Sequence, residues 1–429
     1  MKIIISNTIA LNGGDAAILI AIVKLLREAF GADTEFLISE NQPEAAHKYY
    51  PELKFRRMLY STIRFPPEIR WTRRFLQFLN NWRLIGGAIC IDRGLDSVAN
   101  LLLNDRERQS FEDYHSADLI VSTGGTYLVE NYGLRPRILD YQISQALGKP
   151  LVFFTQSLGP FRTNAYYRNS LKPIFEKAAL MLLRDQKSQG HLTEIGIQNP
   201  NRHVTADAVF ALADQTAIAA SKSPTHPLQS PLRIAISVRE WKFFKQISET
   251  AGMEKYIRSI QSLITHLVQQ HGAQITFIST CQGIPEYWTD DSKTAFEMYL
   301  GLPEEIQSAV KVDQSFRSPH DLIETLKTFD VVIPTRMHMA ILALGAGVPV
   351  LPIAYEFKTQ ELFATLGLEQ WVHDIETVTS ESLIESFDAF LQALPEIRPV
   401  MFQGVEQLRQ MALESGKLVK QAYEAKVRS

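Results

Sequence analysis

The chain reads as an α/β protein of two Rossmann-like domains, each built on a parallel sheet, and three observations predict it. Its 429 residues exceed what one ordinary core holds, so two domains are expected, each large enough for a sizeable interior. Short apolar, strand-like runs recur with helical stretches between them, the rhythm of parallel sheets wrapped by helices. Residues 214–231, DQTAIAASKSPTHPLQSP, lack periodicity and are dense in Ala, Ser and Pro, which reads as a linker between two such series. The expected division is an N-terminal domain over 1–213, the linker 214–231, a C-terminal domain over 232–403 and a final helix over 404–429 that packs back on the first domain.

Taken in chain order, six apolar runs end in unusual polar residues. Residues 2–5 lead into a loop with Asn12, Gly13, Gly14 and Asp15, which opens a helix. Glycines there let backbone approach a ligand, and Asp15 either caps the helix or serves as a base or hydrogen-bond partner for a hydroxyl. The loop lacks the full G-x-G-x-x-G pattern, so a dinucleotide site is excluded on spacing. Residues 118–123 lead into Gly124-Gly125, a tight turn with amides available to a sugar or an oxyanion. Residues 150–155 lead into Gln156-Ser157-Leu158-Gly159-Pro160, where two hydrogen-bonding side chains suit sugar hydroxyls and Gly-Pro alone explains a turn. Residues 233–238 deliver Arg239-Glu240, either a ligand-binding cation at a strand end or a surface ion pair, and 274–279 deliver Thr280 to Gly283. Arg184-Asp185 reads as a structural pair. Ligands of open parallel sheets bind beyond the carboxyl ends of strands, so these six ends mark the functional edges.

The sixth end carries the sharpest signal. After the apolar run 330–333, Thr335 reads as an N-cap that puts Arg336 and His338 in the first turn of a helix reaching Gly345 or Gly347. Unpaired amide N–H groups and the helix dipole attract an anion there, the arginine fork adds two donors, and the histidine supplies an acid/base group. A second apolar strand over 348–355 then brings Glu356 and Lys358 to the same edge.

Composition narrows the class. With 45% hydrophobic residues, 21% charged residues and a net charge of −3, no global field draws the chain to nucleic acid or anionic lipid. Cys90 and Cys281 are too far apart for metal-ligand spacing, which argues for a reducing compartment and against a disulfide scaffold. Adjacent Asp290 and Asp291 point apart and have no supporting ligand, so no metal site is expected. The N-terminus shows no signal peptide and no apolar run is of spanning length, so a cytoplasmic protein is expected. Residues 56–83 stand apart, with Arg56, Arg57, Arg64, Arg70, Arg73, Arg74 and Arg83 against one acid, Glu68, interleaved with Tyr60, Phe65, Trp71, Phe75, Phe78 and Trp82. This stretch either rests on anionic lipid at the inner face of the membrane or is a solvated helix whose aromatics are core.

The segment 334–358, with its T-R-x-H helix start, G-V-P strand and Y-x-x-K ending, resembles the polysaccharide pyruvyl transferase family, and the resemblance extends through Asn12 to Ile18, Asp118 to Gly125, Gln156 to Pro160, Ser237 to Glu240 and Ser279 to Gly283. It implies a GT-B-like arrangement, with the two sheets facing across a cleft. The implied reaction is transfer of the pyruvyl group of phosphoenolpyruvate onto two hydroxyls of a sugar, leaving a pyruvate ketal, with phosphoenolpyruvate as co-substrate and no further cofactor. On that reading His338 and Asp15 are catalytic, and Arg239, Arg336 and Lys358 hold phosphoenolpyruvate. Asn12, Gly14, Gly124, Gly125, Gln156 and Ser157 then face a saccharide acceptor, in free or lipid-linked form. A nucleotide-sugar glycosyltransferase and a non-catalytic saccharide-binding scaffold are the alternatives, because the same arginines suit a diphosphate.

Overall fold

A computed structural model of the chain describes residues 1–63 and 73–428. The chain divides into two compact units, the first comprising Met1–Ala10, Ile18–Ala208 and residues from Met411 onward, the second Leu11–Ala17 and Val209–Gln410. The short segment Leu11–Ala17 therefore belongs with the C-terminal sheet, although it follows the first strand.

In the first unit, strands β1 (Lys2–Thr8), β2 (Glu35–Glu40), β3 (Phe55–Arg57), β4 (Leu119–Ser122), β5 (Gly125–Leu128), β6 (Leu151–Leu158), β7 (Leu180–Leu183) and β8 (Arg202–Val204) form one parallel sheet. Its order is β3-β2-β1-β4-β6-β7-β8, with β5 continuing beyond β4 along β6. β4, β6 and β7 are buried at every position, which is why they read as unbroken apolar runs rather than alternating ones. In the second unit, β9 (Arg233–Ser237), β10 (Gln274–Phe277), β11 (Val310–Val312) and β12 (Val331–Pro334) form a parallel sheet of order β11-β10-β9-β12. The chain leaves β9 in one direction to build β10 and β11 and returns on the other side as β12, so the topological switch point lies between β9 and β12. That is where open α/β sheets bind ligands.

Three local expectations differ from the structure. The stretch 348–355 does not extend the sheet as a strand; it contributes one bridge, Val350 to Val332, and β13 (Ile353–Ala354), which pairs only with β14 (His373–Asp374). Pro349 and Pro352 have no N–H to donate, so a regular ladder cannot continue through them. The stretch expected to be a linker contains the helix Gln215–Ser221, N-capped by the Asp214 carboxylate. The C-terminal helix is much longer than expected, Ser380–Arg428, and carries Pro395 and Pro399 within it.

The basic, aromatic stretch is split between the two readings given above. Arg64, Phe65, Glu68, Arg70 and Trp71 lie outside the described residues, as do the side chains of Arg73 and Arg74. Arg56, Arg57 and Arg83 are paired with Asp113, Glu44 and Glu107, the last at the Asn104 capping box. The aromatics of the helix Arg73–Asp92 are not core, because Phe75, Phe78 and Trp82 are 64%, 57% and 63% exposed. No helix among the described residues is long and apolar enough to cross a membrane.

Candidate active site at the carboxyl edge of the second sheet

β9 and β12 run parallel in register, with Ser237 opposite Pro334. Arg239 and Arg336 each follow their strand by two residues, so both leave the same edge at the same level, on either side of the switch point. The helix Met337–Gly345 starts there, but Thr335 is not its cap. Thr335 is buried and its hydroxyl hydrogen-bonds Tyr256 at 2.6 Å, which pins the strand end to the helix Glu249–His271. Arg336 itself occupies the N-cap position with extended backbone, and His338 sits in the first turn.

Arg336 is not a free fork. Its Nε donates to Asp291 Oδ2 at 2.8 Å and its Nη2 to Oδ1 at 2.6 Å, a bidentate pair in which Asp291 is 2% exposed. Asp291 also accepts from the Ser279 hydroxyl at 2.5 Å, so the loop after β10 and the end of β12 are tied through one carboxylate. Adjacent Asp290 has a separate task, capping the helix Asp291–Leu300. The Nη1 end of Arg336 makes no hydrogen bond among the described residues, which leaves one edge of the guanidinium for a ligand.

Arg239 is held differently. Its guanidinium lies 4.1 Å from the Tyr355 ring centroid and 5.1 Å from that of Trp241, and those two rings pack 4.7 Å apart. Its one hydrogen bond among the described residues runs from Nε to the Glu240 carbonyl, while the Glu240 carboxylate pairs with Lys242. The surface pair Arg239–Glu240 is thus absent, and a half-buried cation stands oriented by aromatic faces rather than by a carboxylate. Lys358, at the start of the helix Phe357–Thr365, is paired with Glu356 at 2.8 Å.

The segment Leu11–Ala17 completes this edge. Asn12 caps the helix Gly13–Phe30, its Oδ1 accepting from the Gly14 amide at 3.0 Å and the Asp15 amide at 3.4 Å, so Asp15 is not the cap. Asn12 also reaches the second unit's own loop, donating to the Tyr287 hydroxyl at 3.2 Å and lying 3.5 Å from the Cys281 thiol. A Cβ at Gly13 would stand 2.0 Å from the Thr280 carbonyl oxygen, and one at Gly14 would stand 2.6 Å from His338 Nδ1. Only glycine fits at either position. Asp15 faces the same cluster, where burial first, and then its charge with that of Asp291, pushes the Cys281 thiol up to about 11. Burial, followed by the Cys281 and Asp15 charges, likewise raises the Tyr287 phenol.

The residues expected from the first sheet do not join a binding surface. Gln156 is 0% exposed and its amide donates to the Thr123 carbonyl and to Tyr127 at 2.7 Å. Ser157 is 1% exposed, donates to Asp185 at 2.6 Å and accepts from Arg184 at 2.7 Å. The reason is that β6 continues through Leu158, so both lie within the strand rather than beyond its end. Gly124 and Gly125 are also buried; a Cβ at Gly124 would meet Thr155 Oγ1 at 2.7 Å, and Gly125 starts β5 at a φ of 124°. Those glycines let β4 pass into β5 beside β6. Arg184 pairs with Asp207 at 2.5 Å rather than with its neighbour Asp185, which caps the helix Gln186–Glu194.

Sequence reasoning missed Asp291, Tyr355, Trp241, Tyr287 and Cys281. Tyr355 stood in the Y-x-x-K pattern, but nothing local in the sequence marks Asp291 as the partner of an arginine 45 positions away.

Among proteins of known structure, the chain is similar to a UDP-GlcNAc 2-epimerase from Neisseria meningitidis, solved bound to UDP-GlcNAc, at 11% identity and a TM-score of 0.56 over 99% of this chain and 100% of that one. It is similar to HepE of Anabaena, solved with UDP-glucose, at 14% identity and a TM-score of 0.52 over 100% of this chain and 98% of that one. At such identities the likeness establishes the fold, a two-domain α/β architecture of the GT-B type. By sequence it is 26% identical to the amylovoran biosynthesis protein AmsJ of Erwinia amylovora over 322 residues, 74% of this chain and 76% of that one. The family profile of polysaccharide pyruvyl transferases matches residues 12–356, from the Asn12 cap through β12 and Arg336 to Glu356, and the chain belongs to that family.

Proposed function

We propose that the protein transfers the pyruvyl group of phosphoenolpyruvate onto two hydroxyls of a sugar in the assembly of a cell-surface or exopolysaccharide. The observation that carries this reading is the pair of arginines leaving β9 and β12 in register at the switch point, one of them with no carboxylate partner among the described residues. A donor with a phosphate and a carboxylate needs two cations fixed at a set separation, and bidentate arginines provide both charge and orientation. Arg239 takes one anionic group against Tyr355 and Trp241, and Arg336 offers its Nη1 edge to the other. Lys358 closes the donor site from the next helix.

Chemically, C3 of the enol accepts a proton and C2 becomes electrophilic. One acceptor hydroxyl adds to C2 and loses its proton, phosphate leaves with its bridging oxygen, and the second hydroxyl adds to C2 and loses its proton to close the ketal. One proton is gained at C3 and two are released, the net proton leaving with phosphate. His338 carries protons in this sequence, and Asp15, half-buried in the adjoining first turn, accepts from an acceptor hydroxyl. Asn12 and Gly14 then line the acceptor side, while Gly124, Gly125, Gln156 and Ser157 support the first sheet from within. The exposed Phe75, Phe78 and Trp82 support contact with the inner face of a membrane, where a lipid-linked acceptor would lie.

The test is calorimetric titration of metal-free protein with phosphoenolpyruvate in parallel with a uridine diphosphate sugar. Arg239→Ala is the informative variant, because Arg336→Ala would also strand Asp291. Phosphoenolpyruvate binding that is lost in Arg239→Ala supports the reading. Binding of the nucleotide sugar alone, with nucleoside diphosphate released on reaction, sinks it in favour of glycosyl transfer. Acceptor binding without phosphate release would point to a scaffold.

A further inference from the structure

We propose a binding site for a borderline divalent transition metal, Zn²⁺ above all, formed in the second unit by His266, His271 and Asp388, apart from the β9/β12 edge. The three side chains come from two packed helices, the two histidines from the C-terminal end of Glu249–His271 and the aspartate from Ser380–Arg428. Asp388 Oδ2 lies 2.9 Å from His266 Nε2, and Oδ1 lies 2.8 Å from His271 Nε2. One donor atom from each residue falls within a sphere in which none is more than 4.8 Å from another. Around a tetrahedral zinc ion, neighbouring nitrogen and oxygen ligands stand about 3.3 Å apart, so small torsional shifts bring the cluster to ligand spacing.

The donor set decides the ion. Two imidazoles and a single carboxylate suit Zn²⁺, Co²⁺ or Ni²⁺, whereas Mg²⁺ and Ca²⁺ demand more oxygen. The rings are also oriented by packing. They meet each other edge to face at 5.5 Å, and Phe387, fully buried beside Asp388, packs against His271. Gly272, left-handed at a φ of 59°, ends the helix directly after His271. His266 lines a surface hollow together with Ser262, Thr265 and Gln270, so the cluster borders solvent-accessible space on its His266 side. Each of the three residues is part-buried, at 21%, 25% and 35% side-chain exposure, sheltered enough to hold an ion and open enough to load one.

The full-length protein, stripped with a chelator, tests this with added Co²⁺ and Zn²⁺. The expected result is uptake of one Co²⁺ per chain with visible absorption of a low-coordinate nitrogen and oxygen site, displaced by Zn²⁺, and a Zn²⁺-dependent rise in melting temperature. Asp388→Asn and His271→Gln should each weaken Zn²⁺ binding at least about tenfold and abolish the thermal shift, with folding checked by circular dichroism. Should either variant fail to fold, the zinc-edge X-ray absorption spectrum of the loaded wild type still decides, two imidazoles being the expected shell. No uptake by the wild type at micromolar ion, unchanged affinity in folded variants, or a zinc shell lacking imidazole overturns the proposal and leaves Asp388 as a hydrogen-bonded tie between two helices.

Discussion

Gly14 and His338 are in direct contact, the glycine leaving open the space in which the imidazole lies; an added methyl would stand 2.6 Å from Nδ1 and 3.1 Å from Cγ. Because Cγ and Cβ of the histidine also lie only 3.1 and 3.2 Å from that position, turning the ring alone does not clear the space and the whole side chain must shift. Gly14→Ala should therefore reduce kcat/KM about a hundredfold, as expected when a reacting group is displaced, while overpacking costs about 1–3 kcal/mol of stability. In the background of His338→Ala the same change should cost no further activity. Additive losses in that double-mutant cycle would show that Gly14 serves something other than His338.

Asp291 and Arg336 form a buried bidentate pair, and the two sides of such a pair are not equivalent to remove. Asp291→Ala leaves a charged guanidinium without its partner and should destabilise the protein by about 3–5 kcal/mol, measured by urea unfolding. The loss should shrink in the double variant Asp291→Ala with Arg336→Met, which removes both charges. Equal destabilisation in single and double variants would argue that the pair is not what holds β12 to the loop after β10.

Arg239 carries little structural load, since aromatic contacts and one backbone hydrogen bond account for its position. Arg239→Lys should keep the melting temperature within a degree or two, within about 0.5 kcal/mol, yet lose most donor affinity, because an ammonium has no planar fork to stack between Trp241 and Tyr355. Full donor affinity in the lysine variant would mean that charge alone is recognised there.

Asp140 gives a pH prediction in the first unit. Burial pushes its carboxyl up to about 7, against the Tyr114 hydrogen bond and the charges of Arg56 and Arg137, from an ordinary value of 3.8. The native state therefore binds the proton more tightly than the unfolded chain between those values, and stability falls as pH rises through that window, by at most about 1.4 kcal/mol per unit, and levels off above it. Asp140→Asn should remove this component. The variant should gain on the wild type from pH 4 to pH 7 in denaturant titrations, and parallel curves for the two proteins would place the native titration elsewhere.

Exposed Phe78 and Trp82 meet edge to face at 6.1 Å on the helix Arg73–Asp92. Vesicles of anionic lipid should sediment the protein, and the double change Phe78→Ala with Trp82→Ala should release most of it without lowering the melting temperature. Equal sedimentation of variant and wild type would remove the membrane contact from the reading of this face.

The linear order of residues was enough to predict two α/β sheets and to find the ends of β9 and β12, because buried parallel strands write themselves as short apolar runs and the residues that follow are local to them. It also marked Arg336 and His338 as neighbours at a helix start, since helical position is set by adjacent residues. Tertiary structure alone decided which groups meet. The carboxylate that occupies Arg336 is 45 positions away, and the glycine that makes room for His338 follows the first strand of the other unit. It also withdrew Gln156 and Ser157 from the site, because a strand's last residue depends on how far its neighbours keep pairing, and β6 pairs on to Leu158. Local chemistry specifies what each residue is able to do, whereas burial and partnership arise only when distant segments compete for the same space.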